Sequence, residues 1–125
     1  MSERLRRIVE GMRIRPGDQV LEIGCGHGVA ASYVCAHLQA GHLVAIDKSK
    51  KMIEAATRRN QEHVDAGRAE FRIVDVLTFD PGARRFDKVF AVRVGLFHRE
   101  PQLIHRLLGE WLAPHGKITV IYDEP

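Results

Sequence analysis

Two hydrophobic rhythms alternate along the chain. Short runs rich in β-branched residues occupy positions 19–23, 42–46, 70–74, 88–92 and 117–122. Most lie next to Gly, Pro or Asp, the punctuation expected around strands. Between them, longer stretches carry apolar residues at helical spacing. A first helix is expected over 3–11, with Leu5, Ile8, Val9 and Met12 on one side. A second, over 29–39, sets Val29, Tyr33, Val34 and Leu38 along one side. Ser49 stands where it can cap a third, running from 50 to about 63 with Met52, Ile53 and Ala56 inward. The clearest stripe covers 101–113. There Leu103, Ile104, Leu107, Leu108, Trp111 and Leu112 share one face before Pro114 and Gly116 end the pattern.

The predicted order is a helix followed by β-α-β-α-β-loop-β-α-β. Strands alternating with crossover helices imply a doubly wound α/β fold, a mostly parallel sheet with helices on both faces. Right-handed crossovers and one reversal of winding give strand order 3-2-1-4-5. No internal repeat, low-complexity tract or linker interrupts residues 1–125, so a single domain is expected.

Composition narrows the class. Hydrophobic residues make up 45% and charged residues 28% of the chain, proportions of an ordinary globular protein. No run approaches the roughly 18–20 apolar residues that cross a bilayer. The first residues lack the apolar core of a secretory signal. Cys25 and Cys35 are too few for a disulfide scaffold and form no CxxC pair, which suits reduced thiols in a cytoplasmic protein. The net charge of +3 is concentrated at the N-terminus, where Arg4, Arg6, Arg7, Arg13 and Arg15 face only Glu3 and Glu10 within residues 1–15. A solvated helix face explains this cluster. The aromatic platforms of a single-strand nucleic-acid binder are missing beside it, so nucleic acid is not the expected partner.

The chemistry concentrates after the first strand. In open α/β sheets, ligands settle at the carboxyl ends of strands near the point where winding reverses. There the sequence reads Glu22-Ile23-Gly24-Cys25-Gly26-His27-Gly28. Alternating glycines let the backbone turn tightly and approach a ligand, and the following helix aims free N–H groups at it. A dinucleotide fingerprint would put its third glycine at position 6 of the motif. Counting from Gly24, position 6 is Val29, and the glycine falls one residue earlier. Three acids complete the picture. Asp47 ends the second strand, 23 residues beyond Gly24, where it can accept from both hydroxyls of a ribose. Asp75 ends the third and can face an adenine amino group. Glu22, two residues before the first glycine, suits an amino-acid ammonium.

At this point the chain resembles a known family. Ile14-x-Pro16-Gly17-Asp18-x-Val20-Leu21-Glu22-Ile23-Gly24-Cys25-Gly26-x-Gly28 resembles the first motif of class I (Rossmann-like) S-adenosylmethionine-dependent methyltransferases. Val44-Ala45-Ile46-Asp47-Lys48-Ser49-x-x-Met52 resembles the second, and Asp75-Val76 the adenine-edge motif. Phe86 to Ala91 resembles the fourth-strand motif, and Leu108-x-x-Trp111-Leu112-x-Pro114-x-Gly116-Lys117 the approach to the fifth strand. The resemblance implies methyl transfer from S-adenosylmethionine to a small molecule by in-line displacement, with S-adenosylhomocysteine as product. It implies that Glu22, Gly24, Cys25, Gly26, His27, Gly28, Asp47, Lys48, Met52, Asp75 and Val76 hold the donor, Met52 packing on the adenine. A module that binds the donor without transferring methyl is the alternative.

The acceptor side is less patterned. Methyl transfer from a sulfonium needs mainly alignment and exclusion of water, and a base only for some acceptors. The stretch after the fourth strand offers His98 as a base and Arg93 as an anchor for a carboxylate or phosphate. The seven histidines show no metal-ligand spacing, so no metal is expected. Family members normally add two further strands after the fifth. The sequence here reaches Asp123-Glu124-Pro125 instead, so a C-terminally short domain is expected, with an exposed fifth-strand edge that could pair in a homodimer.

Overall fold

The computed structural model describes residues 2–122. Five parallel strands form one sheet in the order β3-β2-β1-β4-β5. They are β1 (Gln19–Ile23), β2 (His42–Asp47), β3 (Ala69–Ile73), β4 (Phe86–Val92) and β5 (Leu112–Ile121). The helices are α1 (Glu3–Gly11), α2 (Val29–Cys35), α3 (Lys50–Arg59), α4 (Gln61–Asp65) and α5 (Gly95–Arg99). The expected order and parallel pairing are both present. No helix among the described residues is long and apolar enough to cross a membrane. Asp123-Glu124-Pro125, on which the short C-terminus was expected, lies outside the described residues.

Alternation along the central strands builds two cores. Val20, Leu43, Ala45 and Phe90 face one side, where Val9, Met12, Val34, Cys35 and Ile53 pack on them. Leu21, Ile23, Val44, Ile46, Val89 and Ala91 face the other, against Phe79, Phe86, Phe97, Leu108 and Trp111. This period of two has a consequence inside β1. Glu22 falls on the same face as Val20, so the strand carries a carboxylate into an apolar layer.

A buried ion pair ties the entrance of β1 to that of β4. Lys88 Nζ donates to Asp18 Oδ2 at 3.0 Å, and the Arg15 N–H donates to the same oxygen at 2.9 Å. Burial opposes the Asp18 charge, but these donors outweigh it and hold its carboxyl below the ordinary range.

Several boundaries depart from the sequence reading. The second helix ends at Cys35, and Ala30, Ala31, Val34 and Cys35 are its buried residues, while Val29 and Tyr33 are only half-buried. The small alanines let this helix lie close to the sheet. Ser49 caps α3 as expected, its Oγ accepting from Met52 N at 3.2 Å, but the helix breaks at Asn60 and resumes as α4. The stripe at 101–113 packs on the sheet, with Leu108 and Trp111 buried, without being one α-helix. Ile104–Leu108 forms a π-helical turn and Gly109–Trp111 a 3₁₀ turn, and β5 begins at Leu112 rather than Lys117. The strand starts early because Leu112 pairs with Phe86. Four residues then bulge before Lys117 pairs with Lys88.

Candidate functional site

The carboxyl ends of β1, β2 and β4 are aligned by register, Ile23 lying beside both Ile46 and Ala91. The glycine loop leaves β1 at that edge. Gly24 N and Cys25 N both donate to Ile46 O, at 2.8 and 3.1 Å, which fastens the turn to β2. Gly24 has φ +72°, and a Cβ there would lie 2.8 Å from Val94 Cγ2. Gly28 has φ +85°, and a Cβ would lie within 2.9 Å of the Ala56 backbone and 2.8 Å from Asn60 Nδ2. Both positions therefore exclude side chains twice over, by conformation and by space.

Asp47 holds the middle of the loop. Its Oδ2 accepts from Gly26 N at 3.0 Å and its Oδ1 from Ser49 N at 2.9 Å. Asn60 holds the far end, Nδ2 donating to Gly28 O and to Ala56 O at 3.0 Å each. Arg59 Nε adds a bond to His27 O at 3.2 Å. The sequence does not single out Asn60 and Arg59, because the helical pattern runs smoothly through them. Asn60→Ala is expected to lower stability by about 1 kcal/mol, since Gly28 O keeps the Ser32 N–H but loses the bond that ties it to α3. Urea unfolding measures this, and an unchanged midpoint would refute the bracing role.

Two cavities flank the loop and share Gly24 and Arg93. The larger, about 520 Å³, is lined by Asp47, Lys48, Asp75, Val76, Arg93 and Arg99 together with apolar Ile46, Leu77, Val94 and Leu96. Its volume is within the range of small-molecule sites. The smaller, about 200 Å³, is lined by Arg4, Leu5, Glu22, Cys25, Gly26, His27 and Arg93. Asp75 is exposed at the end of β3, its Oδ1 accepting from Leu77 N at 2.9 Å.

Glu22 and Asn60 are both buried, and Glu22 Oε1 and Asn60 Oδ1 have no hydrogen-bond partner among the described residues; of the two, Glu22 lines a cavity. Burial first, and the neighbouring Asp47 charge second, push its carboxyl up to about 8. A buried acceptor left without a donor is rare unless a ligand supplies one. An ammonium entering the smaller cavity would do so.

The structure thus gathers Glu22, Gly24, Cys25, Gly26, His27, Asp47, Lys48, Asp75, Val76 and Arg93 around the two cavities. Three predicted residues are elsewhere. Gly28 is buried beneath the loop against α3, and Met52 is half-buried on α3 outside both linings. His98 is exposed and stacks on Tyr122, ring centroids 4.0 Å apart, because α5 turns Leu96 and Arg99 toward the larger cavity. A role for His98 as a base therefore has no support in this geometry. Arg99, Leu96 and Arg4 were missed. Arg4 had been grouped with a solvated basic face, yet Arg6 and Arg7 pair with Glu3 on that face while Arg4 lines the smaller cavity.

Burial pushes the Cys25 thiol far up and the Cys35 thiol up to about 12, so neither acts as a nucleophile at neutral pH. Among the described residues, no group of three or more His, Cys, Asp or Glu side chains is arranged to hold a metal ion.

A parallel sheet reversed at β1, with a glycine loop at the reversal and acids at three adjacent strand ends, defines the Rossmann-like class of nucleoside-binding folds. Comparison with known proteins narrows this. The family profile described as "Methyltransferase domain" matches residues 20–116, and the chain belongs to that family. Phosphoethanolamine N-methyltransferase 1 of Arabidopsis thaliana is 30% identical over 118 residues, covering 94% of this chain and 23% of that protein. The chain therefore spans under a quarter of that relative's length. A methyltransferase of Geobacter sulfurreducens, solved in complex with S-adenosyl-L-homocysteine, superposes with a TM-score of 0.81 at 23% identity, covering 96% of this chain and 47% of that one. Coclaurine N-methyltransferase, bound to N-methylheliamine and S-adenosylhomocysteine, superposes with a TM-score of 0.79 at 21% identity, covering 94% and 34%.

Proposed function

We propose that this chain binds S-adenosylmethionine and forms the donor-binding part of an enzyme that methylates a small molecule. The observation that carries the reading is buried Glu22, which lines the smaller cavity beside the glycine loop and whose Oε1 has no partner among the described residues. A nucleoside alone offers no cation for that position; an adenosine with an amino-acid tail does. Asp47, already oriented by Gly26 and Ser49, would take the ribose hydroxyls, and Asp75 with Val76 the adenine edge. Glu22 would take the ammonium, with the N–H groups of the loop around it. When bound, S-adenosylmethionine supplies a methyl group already activated on a sulfonium.

What the chain contributes is alignment and dryness. Val94 and Leu96 form an apolar wall after β4, and Gly24 brings the backbone close without a side chain. The relatives' names support a small acceptor, since phosphoethanolamine and coclaurine are both small molecules. Calorimetry with S-adenosylmethionine, S-adenosylhomocysteine and NAD tests the donor. Binding of both sulfur ligands and not of NAD is expected, and the reverse result refutes the proposal. Transfer of labelled methyl to a panel of small amines, acids and phosphates tests the reaction. Donor binding with no transfer to any of them would favour a module that holds the ligand without chemistry.

A further inference from the structure

We propose that Arg93 and Arg99 form an oxyanion subsite in the larger cavity, so that the methyl acceptor is a small molecule carrying a phosphate or carboxylate. The inference rests on the donor reading above and adds the class of acceptor.

Both acids of this cavity stand on one side. Asp47, with Lys48 beside it, and Asp75 are at the carboxyl ends of β2 and β3, while Arg93 and Arg99 stand on the segment that follows β4. Strand β1 lies between these halves in the sheet. Neighbouring strands are about 4.8 Å apart, so the β2 and β4 ends are separated by about 10 Å. A nucleoside drawn to the acidic half leaves the arginine half to a second molecule.

Both arginines line the cavity, Arg93 half-buried and Arg99 exposed. Arg93 has φ +59°, a conformation uncommon for a side-chain-bearing residue, and its N–H donates to Ile121 O at 2.7 Å. The root of its side chain is thereby fixed at the junction of the two cavities. Arg99 lies across the Gly95 backbone. A Cβ at Gly95 would come 2.7 Å from its Nη1, so the glycine leaves the room that the guanidinium uses. Two planar forks of donors match the oxygens of a phosphate or carboxylate.

The test uses the full chain saturated with S-adenosylhomocysteine and three probes of one carbon skeleton, glycerol 3-phosphate, glycerate and glycerol, titrated by calorimetry. At least one anion is expected to bind about tenfold or more tightly than glycerol. Preference for glycerol 3-phosphate assigns a phosphomonoester; preference for glycerate assigns a carboxylate. Arg99→Gln is expected to remove about tenfold of that affinity while S-adenosylhomocysteine affinity stays within about twofold. Arg99→Lys should recover only part, because it restores charge without the fork. Binding of S-adenosylhomocysteine with no preference for either anion over glycerol, or a preference that survives Arg99→Gln, overturns the subsite and leaves the donor reading standing. Failure of S-adenosylhomocysteine itself to bind overturns both.

Discussion

Asp47→Ala is expected to weaken S-adenosylhomocysteine binding by about a hundredfold to a thousandfold. In the free protein this carboxylate already accepts from Gly26 N and Ser49 N, so it fixes both the loop and the start of α3. Asp47 also lines the larger cavity, where its remaining lone pairs would accept from the ribose hydroxyls. Hydrogen bonds to a charged group contribute about 1.5–3 kcal/mol each, and loss of two at the lower end, about 3–4 kcal/mol, corresponds to the stated range. Folding should suffer far less. Gly24 N and Cys25 N keep their bonds to Ile46 O, and the Gly26 N–H can be taken up by water. Asp47→Asn keeps one acceptor oxygen and should lie between. Calorimetry measures the affinities, and a dissociation constant within threefold of the parent's would remove Asp47 from the donor site.

The second large effect concerns Glu22 and pH. Its carboxyl titrates near 8 in the folded protein, against an ordinary carboxylate value of 4.5 in the unfolded chain. Between these values the folded state holds a proton that the unfolded state has lost, so stability falls as pH rises. The contribution is fully present below about 4.5 and is lost by about pH 8. At about 1.4 kcal/mol per unit, the total is on the order of 5 kcal/mol. Glu22→Gln should flatten this slope, making the variant the more stable protein at pH 8. Chemical unfolding at several pH values from 5 to 8.5 gives the comparison directly.

Ligand binding should run the same equilibrium backwards. An ammonium beside Glu22 favours its charged form, so binding below pH 8 releases about one proton and tightens as pH rises toward 8. Calorimetry in two buffers of different ionisation enthalpy detects that proton. Identical enthalpies in both buffers, or proton release that persists in Glu22→Gln, would place the ammonium elsewhere.

Much of this was legible in the sequence. The alternation Val20-Leu21-Glu22-Ile23 required either an exposed apolar face or a buried glutamate, and the flanking glycines made a buried, ligand-facing glutamate sensible. Asp47 and Asp75 followed from strand ends alone. The helix after β4 was illegible because periodicity does not tell an α-helix from a π-helical turn. Leu103, Ile104, Leu107 and Leu108 pack on the sheet in either case. Positive φ at Arg93 has no sequence signature, since arginine is not selected for it. Arg99 became visible only when α5 fixed which of two adjacent basic residues, His98 or Arg99, lines the larger cavity. Asn60 was hidden for the opposite reason, a capable polar residue inside a pattern that continued smoothly past it.

The bond from Arg93 N to Ile121 O gives β5 more than a place in the sheet. β5 lies at the sheet margin and none of its residues is fully buried, so it is the strand most prone to fray. Each fraying event frees the Arg93 backbone to relax toward ordinary dihedrals and carries its guanidinium away from the cavity junction. Exchange of the Arg93 amide proton is therefore a clock for how often the acceptor half of the site comes apart, and an occupied anion subsite should slow it.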